Sequence, residues 1–298
     1  MTTLITNIKE LLQVRETNVL KVSGKDMKHL PTIKNAYLLI DDDTIIGFGT
    51  MKDCINIDAD IVINATGKLV LPTWCDSHTH IVYAGNREQE FVDRINGLTY
   101  ADIANRGGGI LNSAKKLQQT SEADLYEQSK ERLIQVMKLG TGAIEIKSGY
   151  GLTVEAELKM LRVIKRLKQD FPIKVKATLL AAHAVPKEYI DNKEGFVNLV
   201  INELIPKVAD QQLAKYIDVF CEKGYFDLND TERILKAGKL HGLIPKIHVN
   251  QFNAFGGIEI AVNNQALSVD HLEELNKILN VLKIVKPCQL RFLHAPIF

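Results

Sequence analysis

From about residue 69 onward the chain repeats one unit: a short apolar β-rich run, then a stretch whose apolar residues recur at helical spacing. The runs are "KLVLPTWCDS", "GAIEIKS", "IKVKATLLAA", "YIDVFCE", "LIPKIHV" and "QALSVDH". This alternation predicts parallel strands joined by crossover helices, because parallel neighbours need a connection long enough to bring the chain back. Two of the connections are legible in detail. One helix is predicted from Glu122 to Leu139, with Ser121 as its cap and Gly140 as its stop, and another from Val154 to Leu167, where Val154, Leu158, Leu161 and Ile164 share a face.

The residues at the strand ends matter most. In a (β/α)8 barrel the carboxyl ends of the strands converge on one face, and chemistry assembles there. Those ends carry His78 and His80, Lys147 and Tyr150, His183, Glu222, His248 and Gln251, and His271. Five of the eight histidines therefore fall at four strand ends, and only His29, His241 and His294 lie elsewhere. Side chains at i and i+2 of a strand point the same way, so His78 and His80 can offer two imidazoles to one ion, with His248 as a third from a later strand. HxH alone is a weak motif that reads first as a polar turn; further histidines at matching strand ends reverse that preference and favour a metal.

Residues 1 to 68 differ. Short β-like runs, "AYLLI" and "TIIGFG", are separated by turn clusters such as "DDD", which predicts a small β module. Over the 298 residues, 37 basic and 36 acidic side chains are well mixed, so neither nucleic acid nor an anionic membrane is the expected partner, and a small molecule is. Cys54, Cys75, Cys221 and Cys288 form no CxxC, which argues against a disulfide framework and against a cysteine zinc site. The start "MTTLITNIKELLQV" does not read as a signal peptide and no apolar run reaches membrane-span length, so the cytoplasm is the expected compartment.

"VLPTWCDSHTH" resembles the first-strand metal motif of the amidohydrolase superfamily. More narrowly, "DSHTHIVYAGNREQEF", "GGGI", "EIKSGYGL", "LKMLRVIKRL", "AAHAVP", "DVFCEKGYF", "IHVNQF" and "SVDHLEE", spread over residues 60 to 274, resemble the imidazolonepropionase family of histidine degradation. The resemblance implies a TIM-type barrel over residues 69–298 beside a small N-terminal β-sandwich module over residues 1–68. It implies one divalent ion, zinc or iron, held by His78, His80 and His248. It implies hydrolysis of the cyclic amide of 4-imidazolone-5-propanoate to N-formimidoyl-L-glutamate, with the ion acidifying the attacking water. Arg87 matches a residue that binds the propionate carboxylate, a task suited to a guanidinium fork. Tyr100, Tyr150 and His183 match substrate-binding positions, and Gln251 matches a polar position near the ring. His271 matches a histidine beside the attacking water that shuttles protons together with an aspartate. A homodimer is also implied.

Other readings of these residues remain open at this stage. Apart from the resemblance Arg87 reads first as a surface residue, His183 and His271 read equally as core histidines, and Gly107 to Gly109 as a flexible turn rather than an anion nest. Lys147 is expected to be buried or capping rather than a ligand, and Asp218 and Glu222 to be structural. The resemblance ends after about Glu274: "LNKILNVLKIVKPCQLRFLHAPIF" does not match the family's last strands, one of which supplies an aspartate ligand. About six strands are thus expected, in an open barrel with exposed edges, from an altered reading frame or early stop, or else an evolved truncation. Such a chain is expected to be poorly soluble or inactive. The alternatives are a related amidohydrolase, such as a guanine or cytosine deaminase, or a product without catalysis.

Overall fold

The computed structural model describes residues 1–15, 19, 22, 24–86, 88–98, 109–274 and 289–290, which divide into two compact units, Met1–Thr73 and Trp74–Phe298. The first unit is a five-stranded sheet of β1 (Thr2–Leu12), β2 (Thr32–Asp41), β3 (Thr44–Thr50), β4 (Ile61–Asn64) and β5 (Leu69–Val70). Strand β1 is central, antiparallel to β2 and parallel to both β4 and β5. The "DDD" cluster makes the β2–β3 hairpin, with Asp42 in the left-handed region (φ 48°) that a short polar side chain tolerates. Ile8, Leu11, Ala36, Leu38 and Ala65 form its core.

The second unit is a parallel sheet in sequential order: β6 (Trp74–Thr79), β7 (Thr141–Lys147), β8 (Lys174–Ala182), β9 (Tyr216–Cys221), β10 (Ile244–Val249), β11 (Ser268–His271) and β12 (Gln289–Leu290). Six of these match the runs read from the sequence. To them the structure adds β12, which pairs in parallel with Ser268 and Val269 of β11. The sequence reading also needs one correction. "KLVLPTWCDS" is not a single strand: Leu69–Val70 pairs with β1 in the first unit, and Trp74–Thr79 opens the second. Pro72 lies between them, has no N–H to donate to a ladder, and ends the first segment.

Helices α1 (Glu88–Ile95), α2 (Ile110–Gln119), α3 (Glu122–Lys138), α4 (Val154–Asp170), α5 (Lys193–Leu199), α6 (Ile205–Asp210), α7 (Leu228–Leu240) and α8 (Gly257–Asn263) connect the strands. Ser121 caps α3 by accepting the Asp124 N–H, and Gly140 follows its end with φ 95°. Thr153 caps α4 by accepting from Ala156. Asp227 and Asp230 form a reciprocal capping box at the start of α7.

These helices cover one face of the sheet with apolar side chains. Leu125 and Leu133 of α3, Leu158, Leu161 and Ile164 of α4, and Ile234 and Leu235 of α7 share one buried cluster with Ile144, Ile146, Ile217, Val219, Ile247 and Val249 of the strands. Gly238 lets α7 approach closely, since a Cβ there would collide with the Ile217 side chain. The opposite face of the same strands carries Glu145 and Lys147, Asp218, Lys246 and His248, and Asp270, all buried. Across this interior the curled sheet brings its first and sixth strands within reach, as His78 of β6 meets Asp270 of β11.

Candidate metal centre

His78 is the penultimate residue of strand β6 and His80 follows the strand's last residue, Thr79, so that the two histidines lie on the same side of the backbone. Their Nε2 atoms lie 3.3 Å apart. His248 of β10 joins them, its ring centroid 4.5 Å from that of His78 and 5.7 Å from that of His80. One ring nitrogen from each of the three falls within 4.8 Å of the other two, as shared ligation requires.

Two of the rings are held by carboxylates, which fixes what their remaining nitrogens can do. His78 Nδ1–H donates to Asp270 Oδ2 at 2.9 Å, and His248 Nδ1–H donates to Asp218 Oδ2 at 3.0 Å. Asp218 also accepts the His248 backbone N–H at 3.0 Å, so side chain and main chain are clamped together. With Nδ1 protonated, each Nε2 presents a lone pair to the shared point, the arrangement by which outer carboxylates orient and strengthen imidazole ligands. His248 Nε2 and His80 Nδ1 are buried with no hydrogen-bond partner among the described residues. An orphaned buried nitrogen is costly, and convergent neutral imidazoles suit a divalent cation. The donor set fits a metal ion.

The electrostatics agree. Burial lowers the pKa of His80 and His248 well below the ordinary imidazole value, and it lowers that of His78 as well, against the opposing pull of Asp270. The neutral, ligating form is therefore favoured. Beneath the rings lies a charged layer in which Lys147 Nζ donates to Glu145 Oε1 at 2.8 Å and Asp218 Oδ2 at 2.7 Å and lies 3.1 Å from Asp270 Oδ2. Burial would depress the Lys147 pKa, but Asp218, Glu145 and Asp270 more than offset this and hold its ammonium charged. Lys246 donates to Glu145, whose other oxygen accepts from Thr178 Oγ1 at 2.6 Å.

Above the rings, His183 stacks on His80 with centroids 5.2 Å apart and planes 16° from parallel. Its Nδ1–H donates to the Gly149 carbonyl at 3.2 Å, and burial lowers its pKa to about 4. Tyr150 packs against both, 5.6 Å from each ring. The loop carrying Tyr150 is held from below by Glu157 of α4, which accepts the N–H groups of Gly149, Gly151 and Leu152 at 2.7–3.0 Å. His80 and Tyr150 line a cavity of about 210 Å³ together with Tyr83, Ala84, Asn86 and Ser113.

His271 reaches the centre from β11, its ring 5.4 Å from His78 and 5.1 Å from His248, and donates to Glu273 at 3.2 Å. Its φ of 79°, followed by 68° at Leu272, is unusual for side chains of this size and turns the chain at the strand end. Gln251 is half-buried two residues after β10. The segment that follows it is fixed by Glu222, which accepts from the N–H of Phe252 at 2.8 Å and of Asn253 at 3.2 Å. Arg87, Tyr100, Gly107 and Gly108 lie outside the described residues.

Sequence reasoning finds the imidazoles but passes over much of what holds them: Asp270 as the partner of His78, Lys246 and Glu145 beneath, and Glu157 under the Tyr150 loop. A usable signal was present. In "IEIK", "PKIH" and "SVDH" a charged residue alternates with apolar neighbours inside strands covered by helices. Such charges have to face the interior.

A curled parallel sheet with imidazoles and carboxylates gathered at the carboxyl ends of its strands is the architecture of the amidohydrolase class. Solved structures agree at the level of fold. Escherichia coli guanine deaminase superposes with a TM-score of 0.62 at 11% identity, covering 93% of this chain and 63% of that one. Guanine deaminase from Clostridium acetobutylicum gives 0.58 at 15% identity, covering 95% and 66%. No family model matches the chain. Among curated proteins, imidazolonepropionase from Christiangramia forsetii is 68% identical over 276 residues, 93% of this chain and 67% of the relative. That from Flavobacterium johnsoniae is 65% identical over the same shares. The chain belongs to the imidazolonepropionase family, and it spans about two thirds of the length of these relatives.

Proposed function

We propose that this chain carries the metal-binding face of a cyclic amidohydrolase, for the hydrolytic opening of 4-imidazolone-5-propanoate to N-formimidoyl-L-glutamate. The observation that carries the reading is the convergence of the His78, His80 and His248 nitrogens within 4.8 Å of one another. One divalent ion, zinc or iron, would be held by these three imidazoles and, when bound, supplies Lewis-acid polarisation and an acidified water. The chain's own residues do the rest. Tyr150 and His183 border the centre and, with Tyr100 and Gln251, bind and orient the substrate, Arg87 takes the propionate carboxylate, and His271 moves a proton at the attacking oxygen. The small substrate is the partner we assign, in a cytoplasmic homodimer whose two domains are the β module and the barrel. Among the described residues no helix is long and apolar enough to cross a membrane.

The test is metal content and turnover in parallel. Wild-type chain incubated with zinc or ferrous ion is expected to retain metal through gel filtration, and His78→Ala or His248→Ala to lose it. Retention of stoichiometric metal by both variants would count against the ligand assignment. Turnover of guanine or cytosine in place of the imidazolone would redirect the substrate assignment, and sedimentation velocity checks the dimer.

A further inference from the structure

Two donor sets in the barrel can surround a cation. One is His78, His80 and His248; the other is Asp218, His248 and Asp270, whose ligand atoms also lie within 4.8 Å of one another and which is wholly buried. The second set already has a cation in it. Lys147 Nζ lies 2.7 Å from Asp218 Oδ2 and 3.1 Å from Asp270 Oδ2, with Glu145 Oε1 as a third neighbour at 2.8 Å. An ammonium has three N–H groups, and three carboxylates surround this one. The Lys147 side chain is fully buried, and its ammonium sits directly between these carboxylates.

We propose that the Lys147 ammonium is a resident cation that fills the second donor set, so that the centre takes a single divalent ion at the imidazoles and Lys147 is the residue that excludes another. The proposal rests on the metal reading above, which already has one ion, and adds the cause. A divalent ion entering between Asp218 Oδ2 and Asp270 Oδ2 would have to share those oxygens with an ammonium already at hydrogen-bond distance. Like charges that close, in a buried layer, repel strongly. Glu145, Asp218 and Asp270 face the two ammonium groups of Lys147 and Lys246, which leaves one negative charge to meet the ion held by the imidazoles. The same ammonium braces both carboxylates that orient the rings, since Asp218 holds His248 and Asp270 holds His78. Lys147 is thus a positioning residue whose removal does more than loosen a contact. It takes away the ammonium that Asp218 and Asp270 share and leaves them with their imidazole partners, a strong ligand pair for a second ion.

The experiment compares wild-type chain with Lys147→Ala, each incubated with excess manganese(II) and passed through gel filtration. Metal per chain is counted by mass spectrometry, and electron paramagnetic resonance reports whether two ions are close enough for their spins to couple. The expected result is one ion and no coupling in wild type, against two coupled ions in the variant. Two coupled ions in wild type, or one ion in a folded Lys147→Ala chain, would overturn the proposal. If the variant folds only with metal, thermal melts decide: folding restored by a second equivalent of manganese supports the assignment, and failure to fold at saturating manganese counts against it. No bound ion in wild type would instead sink the metal reading itself.

Discussion

The two faces of the barrel strands are built from the same short segments and do opposite things. In "IEIK" of β7, Ile144 and Ile146 join the cluster under the helices, while Glu145 and Lys147 point into the interior and pair there. In "PKIHV" of β10, Ile247 and Val249 lie on the apolar side and Lys246 and His248 on the charged side. The outer face is cohesive and chemically silent. The inner face is polar, paired through buried ammonium and carboxylate groups, and converges on three imidazoles. The strands divide the labour: because successive side chains alternate, a single strand can be anchored by one residue and present chemistry with the next.

That division can be tested from both sides. The largest effect is expected on the outer face, where Ile247→Ala removes a fully buried side chain and should cost about 2–5 kcal/mol of stability. Urea unfolding measures this, and the folded variant should still take up metal as wild type does. Metal loss from folded Ile247→Ala would show that the two faces are not separable. On the inner face, Asp218→Asn keeps the shape but weakens the acceptor that orients His248. Metal affinity should fall about 10- to 100-fold, read by chelator competition, and the unfolding midpoint should drop as well, because the buried Lys147 ammonium loses one of its carboxylate partners. An unchanged affinity would mean that Asp218 is structural only.

The smallest effect is acid sensitivity. Burial lowers the folded-state pKa of His183 from 6.5 to about 4, and it lowers His78, His80 and His248 in the same direction. The unfolded chain therefore takes up these protons first on acidification. The contribution of His183 is present above pH 6.5 and is lost as pH falls from about 6.5 towards about 4. The melting temperature of metal-free chain should decline through this window, with the carboxylates Asp218 and Asp270 giving way only at lower pH because their own pKa values are depressed. A melting temperature flat from pH 7 to 4 would place these rings in water rather than in the interior.

How much of this was legible in the sequence is explained by the same alternation. The six longer strands stood out because both faces of a parallel sheet are covered, so their apolar residues form dense runs. The imidazoles stood out because HxH and the later histidines fall where those runs end. Lys246, Glu145 and Asp270 did not, because a charge within a β run ordinarily reads as a solvated face. Only the curling of the sheet, which brings β6 to β11, turns that face into an interior. Glu157 was hidden differently: it lies among the apolar positions of α4, and its role depends on a loop that folds back onto it. The unit boundary fell near Pro72 rather than at residue 68 because one apolar run serves two sheets.

The most direct measurement of the central claim is X-ray absorption at the metal edge of wild-type chain loaded with zinc. The expected spectrum is that of one tightly held ion per chain with a shell dominated by imidazole nitrogens from His78, His80 and His248. A chain that holds no zinc, or a shell of oxygen donors without imidazole scattering, would contradict it.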